Sequence, residues 1–166
     1  VLFRSVTGDV TAIAPGDYLP SAGTATIPAS LNATESISYP VQTFDDTIDE
    51  PNETFIATLN SASNAVVNFS PGVVVITDND AAPEISISDV TAVEGQLLTF
   101  TLTLSNPSAF PITVDYALNS GTATEAVDFV DAAGTLTFNP GVTSLTLTVE
   151  SIQDLIYELT ETFTVD

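Results

Sequence analysis

The chain has 166 residues and sets 22 acidic side chains against one basic one, with no histidine, cysteine, methionine or tryptophan, for a net charge of −21. So acidic a surface excludes nucleic acid and anionic membranes as partners, since both are bound through lysine and arginine. The missing cysteine excludes disulfides, thiolate metal sites and cysteine nucleophiles. A hydrophobic fraction of 44% is still enough for a packed core, and no apolar run reaches membrane-helix length, so no direct membrane insertion is expected.

In chain order, the β-branched run from Val6 reads as a strand that ends in the loop at Pro15, Gly16 and Asp17. Ala22 to Ile27 and Glu35 to Val41 read as two further strands, the second with Ile37, Tyr39 and Val41 on one face. The acid-rich stretch Phe44 to Phe55, FDDTIDEPNETF, follows. Phe55, Ala57 and Leu59 then alternate, Asn60 to Asn64 reads as a turn cluster, and Gly72 to Thr77 reads as a buried strand closed by Asp78, Asn79 and Asp80. Ala81 to Pro83 is a short linker. Beyond it Ile85 and Ile87 start a strand, Glu94-Gly95 turns, and three inward rows alternate: Leu98 to Leu104, Ile112 to Leu118, and Leu145 to Val149. No stretch has a 3.6-residue period, so the chain is expected to be all-β, with short antiparallel strands.

An internal repeat organises these elements. Asp17-Tyr18 and Ala22-Gly23-Thr24 recur 111 residues on as Asp128-Phe129 and Ala133-Gly134-Thr135, while Asp46, Glu50, Glu53 and Phe55 recur 108 residues on as Asp154, Glu158, Glu161 and Phe163. A unit of this length suits an immunoglobulin-like sandwich. The expected architecture is two tandem immunoglobulin-like antiparallel β-sandwiches, 1–80 lacking its first strands and 81–166 lacking its last. The absence of methionine and an ending inside an apolar alternation predict an internal piece of a longer polypeptide. The open sheet edges this leaves would be completed by neighbouring repeats or by identical subunits head to tail, as strand complementation or a fibre.

In a sandwich of consecutive antiparallel strands every second turn falls at the same end, and the acids follow that parity. Asp17, Asp45, Asp46, Glu50, Glu53, Asp78 and Asp80 would meet at one site, and Glu94, Asp128, Asp154, Glu158 and Glu161 at another, although Gln153 stands where the first repeat has Asp45. Twelve carboxylates gathered without lysine or histidine need a hard counter-cation, and calcium accepts six to eight oxygens in flexible geometry. The alternative, that acidic turns are simply solvated, explains one such loop but not two with matching parity. Paired carboxylates also serve glycoside hydrolysis, but with no tryptophan to stack a sugar and no histidine or lysine to activate a nucleophile, no enzyme is expected. Three sequons, at Asn32, Asn52 and Asn68, would accept glycan on a secretory route.

Glu94-Gly95, GTATEAVDF at Gly121 to Phe129, GTLTFNPG at Gly134 to Gly141, the Asp154, Glu158, Glu161, Phe163 run and ITDND at Ile76 to Asp80 together resemble the Calx-beta repeat. The resemblance covers nearly all of the chain. It implies an immunoglobulin-like sandwich that binds calcium at the acidic positions above. It also implies a setting, and the expectation here is a calcium-stiffened structural repeat of a large extracellular or cell-surface protein: an adhesin stalk, matrix spacer or filament subunit. The alternative is a cytoplasmic regulatory calcium sensor like that of sodium/calcium exchangers.

Overall fold

The computed structural model describes residues 2–14, 16–29, 35–68 and 71–166, and for 2–5 the backbone alone. All ten regular elements among them are strands, as the alternating pattern requires. Among the described residues no helix is long and apolar enough to cross a membrane. The chain divides into two compact units, Val1–Asp46 with Pro51–Asn79, and Thr47–Glu50 with Asp80–Asp166. Thr47–Glu50 thus sits in the first repeat by sequence and in the second unit by packing.

The first unit is a single antiparallel sheet of β1 (Leu2–Asp9), β2 (Ala22–Thr26), β3 (Glu53–Ser63) and β4 (Gly72–Ile76), in the order β2-β1-β3-β4. Its buried centre is small. Tyr18 and Phe55 stack face to face at 4.2 Å and 12° beside Ala12, and all three are essentially sealed from water. An aromatic pair in offset contact contributes beyond the area it buries, so this stack anchors the loop before β2 to the start of β3.

The second unit is a two-layer sandwich, one sheet ordered β5 (Ile85–Ile87), β6 (Leu97–Leu104), β9 (Ser144–Glu150), the other β10 (Phe163–Val165), β7 (Ile112–Ser120), β8 (Ala133–Phe138). Its longer strands β6, β7 and β9 alternate, with every second residue turned inward along most of their length. Leu98, Leu102 and Leu104 of β6 and Leu147 and Val149 of β9 pack with Leu118 and Phe138 of the facing sheet. Phe129, just before β8, stacks on Phe163 at 4.4 Å and 19°. The repeat is therefore structural as well as sequential: Tyr18 and Phe55 of the first unit become Phe129 and Phe163 of the second. Strands β2, β1 and β3 likewise take the order of β8, β7 and β10.

Three expectations are corrected. Glu35 to Val41 forms no strand and is mostly exposed. Its counterpart, β9, is a strand because it pairs with β6 from Leu97 to Thr103, and among the described residues of the first unit no strand takes the place of β6. Gly72 to Thr77 is not a buried strand: β4 ends at Ile76, lies at the sheet edge bonded only to β3, and leaves Val73 66% and Val75 57% exposed. An all-apolar run signals a strand but does not say which faces are covered. Asn60 to Asn64 is no turn cluster either, since β3 continues to Ser63. The turn falls at Asn64, whose φ of +60° is a conformation asparagine tolerates.

Of the sequons, Asn32 and the Phe69-Ser70 part of the third lie outside the described residues. Asn52 uses its side-chain oxygen to accept the backbone N–H of Asp78 at 2.9 Å.

Candidate metal centre

In the second unit the loops between β5 and β6, β7 and β8, and β9 and β10 meet at one end, and backbone hydrogen bonds hold them there. The Gln96 N–H donates to Ser151 Oγ at 3.0 Å, and that hydroxyl donates back to the Gln96 carbonyl at 2.8 Å. Ile152 N–H donates to the Asp128 carbonyl at 2.8 Å, and Ala123 N–H to the Thr162 carbonyl at 3.0 Å. Thr162 N–H in turn donates to Thr122 Oγ1 at 2.8 Å. Asp128 and Glu161 thereby stand one and two residues from Phe129 and Phe163, so the buried stack fixes the spacing of the two acids.

Asp128, Glu158 and Glu161 bring one carboxylate oxygen each to within 4.8 Å of one another. Asp128 Oδ2 accepts the Thr124 N–H at 2.6 Å. Glu94 and Asp154 stand close enough for their charge to be felt. Glu158 is held above its ordinary protonation range by lost hydration first, and then by the negative charges of Asp154, Asp128 and Glu94. Glu161 is raised in the same way, by lost hydration, by the charge of Asp128 and a hydrogen bond to it, and by Glu158 and Glu94.

The first unit repeats the bonds of this scaffold that do not involve the β5–β6 loop. Asp17 Oδ2 accepts the Ile13 N–H at 2.5 Å, Thr54 N–H donates to Thr11 Oγ1 at 2.7 Å, and Phe44 N–H donates to the Asp17 carbonyl at 3.0 Å. Asp17 and Glu53 bring carboxylate oxygens within 4.8 Å of each other, beside the Tyr18 and Phe55 stack. Glu50 lies in the Thr47–Glu50 segment of the second unit. Asp45 and Asp46 are exposed, and with Asp78 and Asp80 they fall outside the groups of three carboxylates that close to this distance among the described residues.

Sequence reasoning missed three contributors. Thr11 and Thr122 were readable as a Thr-Ala pair six residues before each aspartate, but nothing in a pattern says that a threonine hydroxyl will receive a backbone N–H. Asp9, never counted among the acids, has a structural part: it accepts the Tyr18 hydroxyl and, at 3.3 Å, the Ala14 N–H. In the second repeat Ser120 and Phe129 replace the Asp9 and Tyr18 partnership, each change removing the need for the other. The third is Gln153, whose amide donates to Glu94 Oε2 at 3.1 Å.

The donor set decides which cation the residues fit. It is all oxygen and all carboxylate in a chain without cysteine or histidine, which excludes the soft and borderline metals that favour sulfur and nitrogen. Carboxylates carried on separate loops suit calcium, which takes six to eight oxygens in flexible geometry, better than magnesium, which demands a near-ideal octahedron.

Because Glu158 and Glu161 titrate above their ordinary range, the metal-free fold binds protons there that the unfolded chain has already released. Their contribution to stability is therefore present at acid pH and is lost as the pH rises through the raised range. Thermal melts of the chelated protein are expected to show this loss as the pH rises above the ordinary glutamate range, and Glu158→Gln with Glu161→Gln to remove it. A loss of equal size in that variant would place its origin elsewhere.

An antiparallel sandwich with crowded carboxylates on the loops at one end defines a class, the β-sandwich modules built to take a hard divalent cation. The chain belongs to the Calx-beta family: the Calx-beta domain model matches residues 1–82 and again 78–166. No curated protein matches. Among solved structures, the chain is similar to the crystal structure of CBD12 from CALX1.2, at 21% identity and a TM-score of 0.43 over 91% of this chain and 63% of that one. It is also similar to calcium binding domain CBD12 of CALX1.1, at 19% identity and 0.43 over 89% and 60%. The chain thus spans less than two thirds of either structure.

These comparisons overturn the expected setting. The similar structures are described as calcium binding domains and not as extracellular stalks, so the adhesin, spacer and filament role and the extracellular or surface location are withdrawn. The physical reason is plain. A net charge of −21 measures appetite for cations and carries no information about which side of a membrane the protein occupies.

Proposed function

We propose that the chain is a calcium-binding regulatory module, a sensor of calcium level. The observation that carries the reading is the convergence of Asp128, Glu158 and Glu161 within 4.8 Å, on a scaffold whose hydrogen bonds and aromatic stack recur around Asp17 and Glu53. Asp128 is presented from the β7–β8 loop, while Glu158 and Glu161 come from the β9–β10 loop that crosses from one sheet to the other. Glu94 comes from the β5–β6 turn of the first of those sheets. Without a counter-charge these carboxylates repel, and the loops that carry them are pushed apart. Calcium, when bound, supplies the positive charge that reverses the sign of this interaction. The acids then draw three loops together and stitch the two sheets at one end, which is a change a neighbouring domain can read.

A calorimetric calcium titration of the whole chain tests this. A sensor binds at about 10⁻⁷ to 10⁻⁵ M, against about 10⁻⁴ to 10⁻³ M for extracellular modules. Micromolar binding, with one site abolished by Glu158→Gln and Glu161→Gln, is the expected result. Binding only at millimolar calcium, or binding indifferent to both substitutions, would reject it.

A further inference from the structure

Thr47–Glu50 belong to the first repeat by sequence and pack inside the second unit, where a specific anchorage holds them. Asp49 N–H donates to the Pro107 carbonyl at 3.1 Å and the Asp49 carbonyl accepts the Ala109 N–H at 2.9 Å, a parallel bridge to Ser108 in the turn between β6 and β7. Ser108, 2% exposed, donates its hydroxyl to the Asp49 carboxylate at 2.8 Å. The offset of 108 residues makes Leu155, Ile156, Tyr157 and Glu158 the counterparts of Thr47, Ile48, Asp49 and Glu50. In the second repeat this segment is bare. Leu155 is fully exposed, Tyr157 91%, Leu159 80% and Ile156 66%, a run of large apolar side chains that an ordinary surface does not gather on one loop. Among the described residues the peptide N–H and carbonyl of Tyr157, counterparts of the two groups that Asp49 uses, have no hydrogen-bond partner.

We propose that residues 155–157 are the docking segment for a further Calx-beta unit, which seats the turn before its own β7-type strand on Tyr157 as the 106–109 turn seats on Asp49. The counterpart defines the occupant: a turn that offers one carbonyl and one N–H two residues apart, and so pairs with an extended backbone by strand addition. Two side chains alter the fit. Leu155 replaces Thr47 and Tyr157 replaces Asp49, so the partner's turn carries apolar surface where this chain has the buried Ser108 hydroxyl, which needs a carboxylate. An unaltered second copy of the chain does not qualify, because Asp49 already takes its 106–109 turn. A contact this small is weak between free molecules but is sufficient between tethered units, whose effective concentration reaches about the millimolar range.

The test extends the whole chain by a second copy of its residues 59–166, with Ser108→Ala in the added copy. Asp166 is the counterpart of Thr58, so the repeat continues in register. Amide hydrogen exchange is followed by NMR with chelator present, which keeps calcium out of the result. In the unextended chain the Tyr157 amide is expected to exchange at the rate of an open chain, while the Asp49 amide is protected. In the extended chain the Tyr157 amide is expected to slow by at least about tenfold, as closing one local contact requires, and Leu155→Ser with Ile156→Ser to return it to the open rate. A Tyr157 amide equally fast in both chains, with Asp49 protected in both, overturns the proposal. So does protection that survives the two serine substitutions. If the added unit does not fold, Asp49→Pro with Ser108→Ala in the unextended chain serves instead, since it vacates the 106–109 turn by removing the N–H that the Pro107 carbonyl accepts. Sedimentation is then expected to show head-to-tail association of copies that Leu155→Ser with Ile156→Ser abolishes. A variant that stays monomeric at about millimolar concentration overturns the proposal.

Discussion

Calcium at about a hundred times its dissociation constant is expected to stabilise the chain by about 2.7 kcal/mol for each filled site, and chelator is expected to reverse the effect. For a unit of fewer than a hundred residues that is a rise in melting temperature of roughly 10–20 °C. The gain is large because the reference state is poor: the metal-free fold keeps Asp128, Glu158 and Glu161 together at a cost that shows in the raised protonation of the two glutamates. The unfolded chain, where these acids separate, pays no such cost and offers no assembled site. Differential scanning calorimetry with calcium and with chelator measures both arms. Coincident melts would sink the assignment of calcium to this fold.

The second large effect lies under the site. Phe129→Ala is expected to destabilise the second unit by about 3–5 kcal/mol, the usual cost of truncating a buried phenylalanine. The ring is 1% exposed, stacks on Phe163 and belongs to the cluster with Leu98, Leu118, Phe138 and Val149. The loss should also reach calcium. Asp128 precedes Phe129 and Glu161 lies two before Phe163, so removing the ring frees both acids from their spacing. Thermal denaturation should show the lowered transition, and calorimetry a weakened second site even at temperatures where the variant is folded. Phe129→Leu keeps most of the volume and should recover most of the stability, which separates the cavity from the aromatic geometry. A variant that melts with the wild type would mean that this stack carries little of the fold.

Much of this molecule follows from local pattern. The strict alternation of Leu98, Phe100, Leu102 and Leu104, and of Ile112, Val114, Tyr116 and Leu118, determines β-strands because only a period of two puts those residues on one face. The turns at Gly95 and Gly141 follow from residues that tolerate the positive φ found there. The paired offsets of 111 and 108 residues determine that the scaffold is built twice, and strand parity places Glu94, Asp128, Glu158 and Glu161 at one end of a sandwich. The demand for an oxygen-loving cation is likewise written in composition.

Only the tertiary structure decided the rest, because it depends on partners distant in the chain. Whether an apolar run is covered depends on what lies beside it, so GVVVI at β4 is an exposed edge and Ser36 to Gln42, the counterpart of β9, is no strand. Which of twelve acids draw together depends on distances of a few ångströms at loop tips. The aromatic stack and the threonine-anchored turns set those distances for Asp128, Glu158 and Glu161, and for Asp17 with Glu53. The same is true of Gln153, a lost charge in the sequence and a link between two loops in the fold. The packing of Thr47–Glu50 with the second unit was equally invisible. It turns on Asp49, whose carboxylate accepts the hydroxyl of the buried Ser108 at 2.8 Å, and a hydrogen bond across 59 residues leaves no periodicity to read.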